Sequence, residues 1–258
     1  MSHDGEYSTD VLGAKALGLL DEGVASKKPF FLTVAPVAPH SNVGLGKIVE
    51  GEDPLASIQM TAPIPAERHK HLFPNAKVPR KANFNPEVPS GASWISQLAK
   101  LTPEVVDYND DFYRARLQAL QAVDELIEKI VIRLKKHRLL ENTYILYTAD
   151  NGYHISQHRL NPGKECGFEE DINIPLIIRG PGVDVGSSEA VTAHTDLAPT
   201  ILKIAGGDWK RGDLDGSPIP LRLNSEEARQ EHVNVEFWGR GIPEGIYKFS
   251  LDDGKVGM

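Results

Sequence analysis

Tyr144-Ile145-Leu146-Tyr147-Thr148-Ala149-Asp150-Asn151-Gly152-Tyr153-His154, running on to His158-Arg159-Leu160-Asn161-Pro162-Gly163-Lys164, is the stretch on which the reading of this chain turns. An apolar run with β-branched and aromatic residues reads as a strand. It ends by releasing a carboxylate and a side-chain amide next to each other, and a lysine follows one short loop later. Oxygens of this kind hold hard cations, and an ammonium beside them suits an anionic substrate. In open α/β sheets, ligands bind beyond the carboxyl ends of the strands. Taken alone, Asp-Asn-Gly is a tight turn, so the neighbouring residues decide between the two readings.

Upstream, Leu117, Leu120, Val123, Leu126, Ile127, Ile130, Val131 and Leu134 recur at the spacing of an amphipathic helix over 111–137. Asp110 and Asp111 at its start and Arg133, Lys135 and Lys136 at its end complement a helix dipole. Downstream, 174–178 reads as a second apolar strand stopped by Gly180-Pro181-Gly182, and 196–205 as a helix stopped by Gly206-Gly207. Strand, helix, strand is the grammar of an α/β fold, a parallel sheet covered by helices.

Farther out, Val11, Leu12, Ala16, Leu19 and Leu20 predict a helix over 10–25. Residues 29–37 predict a buried strand that ends at Ala38-Pro39-His40, and 233–238 and 246–251 predict two more strands. Between Ser41 and Leu101, prolines at 54, 63, 65, 74, 79, 86 and 89 interrupt any period. A stretch of this kind is either a lid or substrate loop, or a surface excursion wrapped on the core.

Composition excludes several classes. With 28 basic and 36 acidic residues the formal net charge is −8, which argues against nonspecific nucleic-acid binding. A bound cation could still make a local site for an anion. No apolar run has the length of a membrane span, and the first residues carry neither a basic segment nor an apolar core, so no signal peptide is expected there. The compartment stays open. Cys166 is the one cysteine, which excludes an internal disulfide and disfavours a thiolate metal site.

Taken in order, several blocks resemble the sulfatases, the arylsulfatase branch of the alkaline-phosphatase-like superfamily. They are Pro29-Phe30-Phe31-Leu32 to Ala38-Pro39-His40, the long helix, Asn142 to His154, His158 to Lys164, Glu169 to Gly182, and His194-Thr195-Asp196-Leu197-Ala198-Pro199-Thr200. The resemblance implies a mixed sheet covered by helices, incomplete on its N-terminal side. Residues 1–220 would be the C-terminal part of the catalytic domain and 221–258 the start of a smaller C-terminal β region.

The resemblance also implies roles. Asp150 and Asn151 match the second pair of metal ligands, usually for Ca2+, and Lys164 matches the lysine on the sulfate oxygens. His40 matches the histidine that contacts sulfate and assists departure of the alcohol. His154 and His158 share the loop and either line the pocket or brace it. His69 and His71 are expected in solvent, His194 at a helix start, and Cys166 in packing. The implied substrate is a small-molecule or carbohydrate sulfate ester, with no nucleic-acid or membrane partner; the oligomeric state stays open.

The family's nucleophile is a formylglycine made within Cys-X-Pro-Ser-Arg, and these 258 residues contain no such motif. Cys166 is followed by Gly167-Phe168-Glu169, so it is not that residue. The first metal pair, Asp-Asp at the end of the family's first strand, would lie upstream, where Asp110-Asp111 cannot serve. By this alignment Met1 stands in mid-sequence of a family member. The expectation is a sulfuric ester hydrolase by descent, with Ca2+ weakly bound or absent and no hydrolysis by this chain alone. The alternatives are a phosphoester or phosphonate hydrolase of the same superfamily, or a non-catalytic remnant.

Overall fold

A computed structural model describes residues 3–46, 57–89, 91–223, 231–237 and 242–248. They fall into two compact units, one drawn from Met1–Arg138, Asp150–Ile174 and Trp238–Met258, the other from Leu139–Ala149 and Pro175–Phe237. No helix among the described residues is long and apolar enough to cross a membrane.

The first unit is built on two helices. Helix α1 (Ser8–Ala25) buries Thr9, Gly13, Ala16 and Leu20 on one stripe. Helix α3 (Pro103–Lys136) buries Phe112, Ala119, Ala122, Val123, Leu126 and Leu134. Small residues on α1 let the two approach closely: a Cβ on Gly13 would sit 3.3 Å from Leu126 Cδ1. Ion pairs flank the contact. Arg68 bridges Asp10 and Glu125, and Asp21 pairs with Arg133.

Helix α3 begins eight residues before the sequence pattern does. Thr102 caps it by accepting from Val105 N, and Pro103 occupies its first turn. Asp110 and Asp111 are therefore interior residues, not a dipole-matching first turn. Asp110 is buried and accepts from Val78 N at 3.0 Å and from both Arg80 guanidinium nitrogens. Buried Asn109 donates to Ser156 Oγ at 2.9 Å. These two polar residues interrupt the apolar stripe, which hid the helix's first two turns.

The proline-rich stretch is anchored to this unit at intervals. Strands β1 (Asn42–Leu45) and β2 (Ile58–Thr61) form an antiparallel ladder. The short helix α2 (Ser93–Ser96) carries Ile95 into a cluster with Leu98 and Leu160, against which Cys166 and Phe168 pack. Val78, Phe112 and Ile155 form a second cluster, flanked by Ala62, Phe84, Tyr108, Tyr113 and Tyr153. A further short helix, α4 (Glu169–Ile172), follows the 150–164 loop.

Residues 29–37 form neither helix nor ladder among the described residues. Exposed and half-buried positions alternate along 31–37, with Phe31 72% and Val37 69% exposed. The buried strand expected here is thus corrected. Its composition suits a strand, but ladder bonds need a partner strand that local composition cannot supply.

In the second unit, β3 (Ile145–Thr148) pairs antiparallel with β4 (Leu176–Arg179), in register from Ile145 opposite Arg179 to Thr148 opposite Leu176. The two strands pair directly with each other, so this ladder is not the parallel one that strand–helix–strand order suggested. Tyr144 OH donates to Pro181 O at 2.6 Å, and its ring lies where a Cβ on Gly180 would be, 2.3 Å from Cδ1. Helix α5 (Leu197–Ile204) follows a single 3-10 turn over His194–Asp196, where the helix start was expected. Asp196 accepts from Ala193 N and Ser217 N, both at 2.9 Å, and Thr200 Oγ1 accepts from Ile219 N.

Residues 233–237 form no strand, and Val233, Val235 and Phe237 are exposed there. Nor do 246–248, whereas Trp238 and 249–251 lie outside the described residues. As with 29–37, β-favouring composition is present without a ladder partner among the described residues.

Candidate anion and metal site

Asp150 and Asn151 follow β3 directly in the chain. Asn151 N donates to Asp150 Oδ1 at 3.0 Å and Asn151 Nδ2 to Gly152 O at 2.7 Å. Asp150 is exposed and Asn151 half-buried. The next residues lie hard against α4: Gly152 N donates to Asp171 O at 2.8 Å and Tyr153 N to Glu170 O at 2.6 Å. A Cβ on Gly152 would stand 2.0 Å from Glu170 O, so only glycine fits this approach. The Asp-Asn-Gly sequence is thus a packed junction, not a free turn.

Past the junction the loop closes on itself. His154 and Gly163 exchange backbone bonds of 2.9 and 3.1 Å. His154 is fully buried, with Nδ1 at 2.8 and 3.0 Å from the Asp171 oxygens and Nε2 without a hydrogen-bond partner. His158 stacks on Phe168 at 3.8 Å between centroids and has Nε2 3.5 Å from Glu170 Oε2. Arg159 donates to the carbonyls of Pro86, Glu87 and Leu98, which ties the loop to the proline-rich stretch. These placements give His154 and His158 contacts that brace the loop.

Ser41, the residue after His40, and Lys164 meet at one carboxylate, that of Glu244. His40 Nδ1 lies 2.9 Å from Ser41 O, so it carries a proton there and leaves Nε2 as the nitrogen available for proton transfer. Ser41 Oγ is 3.4 Å from that Nδ1 and donates to Glu244 Oε2 at 2.8 Å. Tyr153 OH donates to the same oxygen at 3.1 Å, and Lys164 Nζ stands 3.6 Å from Glu244 Oε1. Arg116 donates to Pro39 O at 2.9 Å and lies 3.7 Å over the Tyr153 ring. Burial pushes the Arg116 guanidinium down from its usual range, while Tyr153, Glu244 and Asp150 oppose that shift. Burial, then the charge of Glu244, raises the Tyr153 hydroxyl, so it stays protonated and donates.

Motif reading overlooked Glu244, Tyr153, Arg116 and Asp171. Asp171 lies inside the Glu169-to-Gly182 block, where its position was visible but its partner was not. Glu244 lies past every block, within Pro243-Glu244-Gly245, with no local signal of burial. His69 also departs from expectation. It is 7% exposed, with Nε2 2.8 Å from Glu125 Oε1, because α3 supplies a carboxylate far away in sequence; His71 is exposed as expected.

Two groupings bear on metal binding. Asp150 and Asn151 offer hard oxygens, but two such ligands fall short of the six to eight that calcium takes, so these residues alone do not make a calcium site. Ligand atoms of His154, Cys166 and Asp171 lie within 4.8 Å of one another. There, both Asp171 oxygens are already engaged by His154. Burial, reinforced by Asp171 and Glu165, pushes the Cys166 thiol up to about 12. His154 and Asp171 thus form a hydrogen-bonded pair with the Cys166 thiol beside it.

Comparison with known proteins identifies the family and the fold. The Sulfatase family model matches residues 2–207, and the chain belongs to the sulfatase family. It is 47% identical over 222 residues to the sulfatase ppz1 of Metarhizium majus, covering 85% of this chain and 49% of that protein. It is 38% identical over 241 residues to the N-acetylglucosamine-6-sulfatase of Homo sapiens, covering 92% of this chain and 40% of that protein. The chain thus spans half the length or less of these curated relatives. Among solved structures, one in complex with its substrate D-glucosamine-2-N,6-O-disulfate superposes with a TM-score of 0.64 at 24% identity, covering 83% of this chain and 53% of that one. The fold is the α/β arrangement of the alkaline-phosphatase-like sulfatases, mixed in helix and strand.

Proposed function

We propose that this chain carries one wall of a sulfate-ester hydrolase site and that hydrolysis needs residues outside these 258. What carries the reading is the meeting of Ser41, next to His40, and Lys164 at the Glu244 carboxylate. In this reading Lys164 neutralises charge on the sulfuryl oxygens, where a preorganised cation acts most strongly. His40 Nε2 protonates the departing alcohol oxygen. Asp150 and Asn151 contribute two oxygens to a cation shell completed by other ligands. His154 and His158 hold the loop that presents Lys164. Residues 1–220 belong to the catalytic domain, to which Glu244 returns from the 221–258 stretch.

The substrate class is a carbohydrate or other small-molecule sulfate ester, in keeping with the name of the human relative. No residue here can serve as the family's nucleophile: Cys166 lacks the Cys-X-Pro-Ser-Arg context and holds its proton. The chain alone is therefore inactive. The test is incubation with an aryl sulfate and with N-acetylglucosamine 6-sulfate in the presence of calcium, beside a Lys164→Ala control. No turnover above the control is expected; turnover that disappears in Lys164→Ala would overturn the inactivity.

A further inference from the structure

Glu244 is buried, at 4% exposure, among donors from separate stretches of chain. Ser41 and Tyr153 hydroxyls bond Oε2, and the Lys164 ammonium faces Oε1. The field of Glu244 also reaches Arg116, stacked behind Tyr153. Its backbone is fixed as well: Glu244 N donates to Pro162 O at 2.6 Å, and Pro243 bridges Gly163 next to Lys164. A Cβ on Gly163 would stand 3.1 Å from Ile242 O, so the glycine permits this close seating.

Two hydroxyls, an ammonium and a nearby guanidinium are the donor set that a tetrahedral oxyanion would seek. A carboxylate already fills it. Resting on the reading of Lys164 as the sulfate ligand, we propose that Glu244 is an internal competitor for that anion subsite. Its carboxylate holds the place of a sulfuryl group, and an external anion binds only when residues 242–248 withdraw. Competition of this kind weakens the observed affinity by the fraction of time the seat is open. A seat filled about 99% of the time makes binding about 100-fold weaker.

The experiment is calorimetric titration of the full chain with sulfate at matched ionic strength. Unaltered protein, Glu244→Ala, Glu244→Gln and the Glu244→Ala/Lys164→Ala pair are compared. Calorimetry is chosen because sulfate stabilises folded proteins nonspecifically. Glu244→Ala empties the seat, and binding at least about 10-fold tighter than in the unaltered chain is expected, as an open seat requires. Glu244→Gln keeps the side chain's size while removing its charge, so it carries the comparison if the alanine variant fails to fold; tightening is expected there too. The double variant is expected to lose the gain. Equal sulfate affinity in the unaltered chain and in the folded Glu244 variants would overturn the competitor and leave the Lys164 reading standing. Absence of sulfate binding in all variants, or tightening that survives loss of Lys164, would overturn both.

Discussion

Asp171 grips His154 with both carboxylate oxygens, 2.8 and 3.0 Å from Nδ1, and the two side chains are only 2% and 1% exposed. The pair joins the start of the 150–164 loop to α4, and it is the buried polar link that sets where Lys164 emerges. Removing one partner strands the other, and a buried polar group left unpaired costs several times what the bond contributes. Asp171→Ala, which leaves the His154 ring without a partner on either nitrogen, is expected to destabilise the fold by about 2–4 kcal/mol. Urea unfolding measures this, and a loss below about 0.5 kcal/mol, the range of an ordinary surface change, would show that the pair is not structural.

The junction at Gly152 gives a steric prediction. The Cβ of Gly152→Ala would lie 2.0 Å from Glu170 O, so the loop must move or α4 must give way. Overpacking of this kind costs about 1–3 kcal/mol. The expected signature is local, with faster hydrogen exchange at the Gly152 and Tyr153 amides, which donate to Asp171 O and Glu170 O. Unchanged exchange at both amides would mean the approach is looser than described.

Acid sensitivity should localise to the α1–α3 clamp. Hydrogen bonds from Arg68, and then from His69, hold the Glu125 carboxyl down at about 2, against an ordinary value of 4.5. A carboxyl depressed on folding stabilises the protein above its unfolded value, and that contribution is lost as pH falls toward the folded one. Stability should therefore decline between about pH 4.5 and 2, and Glu125→Gln should flatten that part of the profile. Glu125 and Arg68 are 35% and 41% exposed, so solvent screens the pair and the effect is modest. Melting temperatures of both proteins across this range test it; identical slopes would assign the acid loss to other carboxyls.

How much of this was legible in the sequence differs by element. Helices α1 and α3 and strands β3 and β4 declare themselves because their periods are local and their apolar stripes long. The start of α3 does not, since Asn109 and Asp110 are buried for hydrogen bonds that only tertiary structure supplies. Residues 29–37 carry strand composition without a strand, because pairing is a nonlocal property. In the candidate site, Asp150, Asn151, Lys164 and His40 stand in recognisable blocks. Glu244 stands in none, and a carboxylate buried by a serine, a tyrosine and a lysine from distant segments leaves no trace in spacing. The same holds for His69, whose partner Glu125 lies on another element.

His40 and Lys164 are expected to belong to one anion site. Nuclear magnetic resonance titration of the full chain with sulfate, following the His40 ring protons and the Lys164 side-chain methylene next to Nζ, tests this. Both signals should shift together and saturate with a single dissociation constant, and Lys164→Ala should silence the His40 response. A His40 response that persists without Lys164, or two unrelated constants, would contradict the claim that these residues form one site.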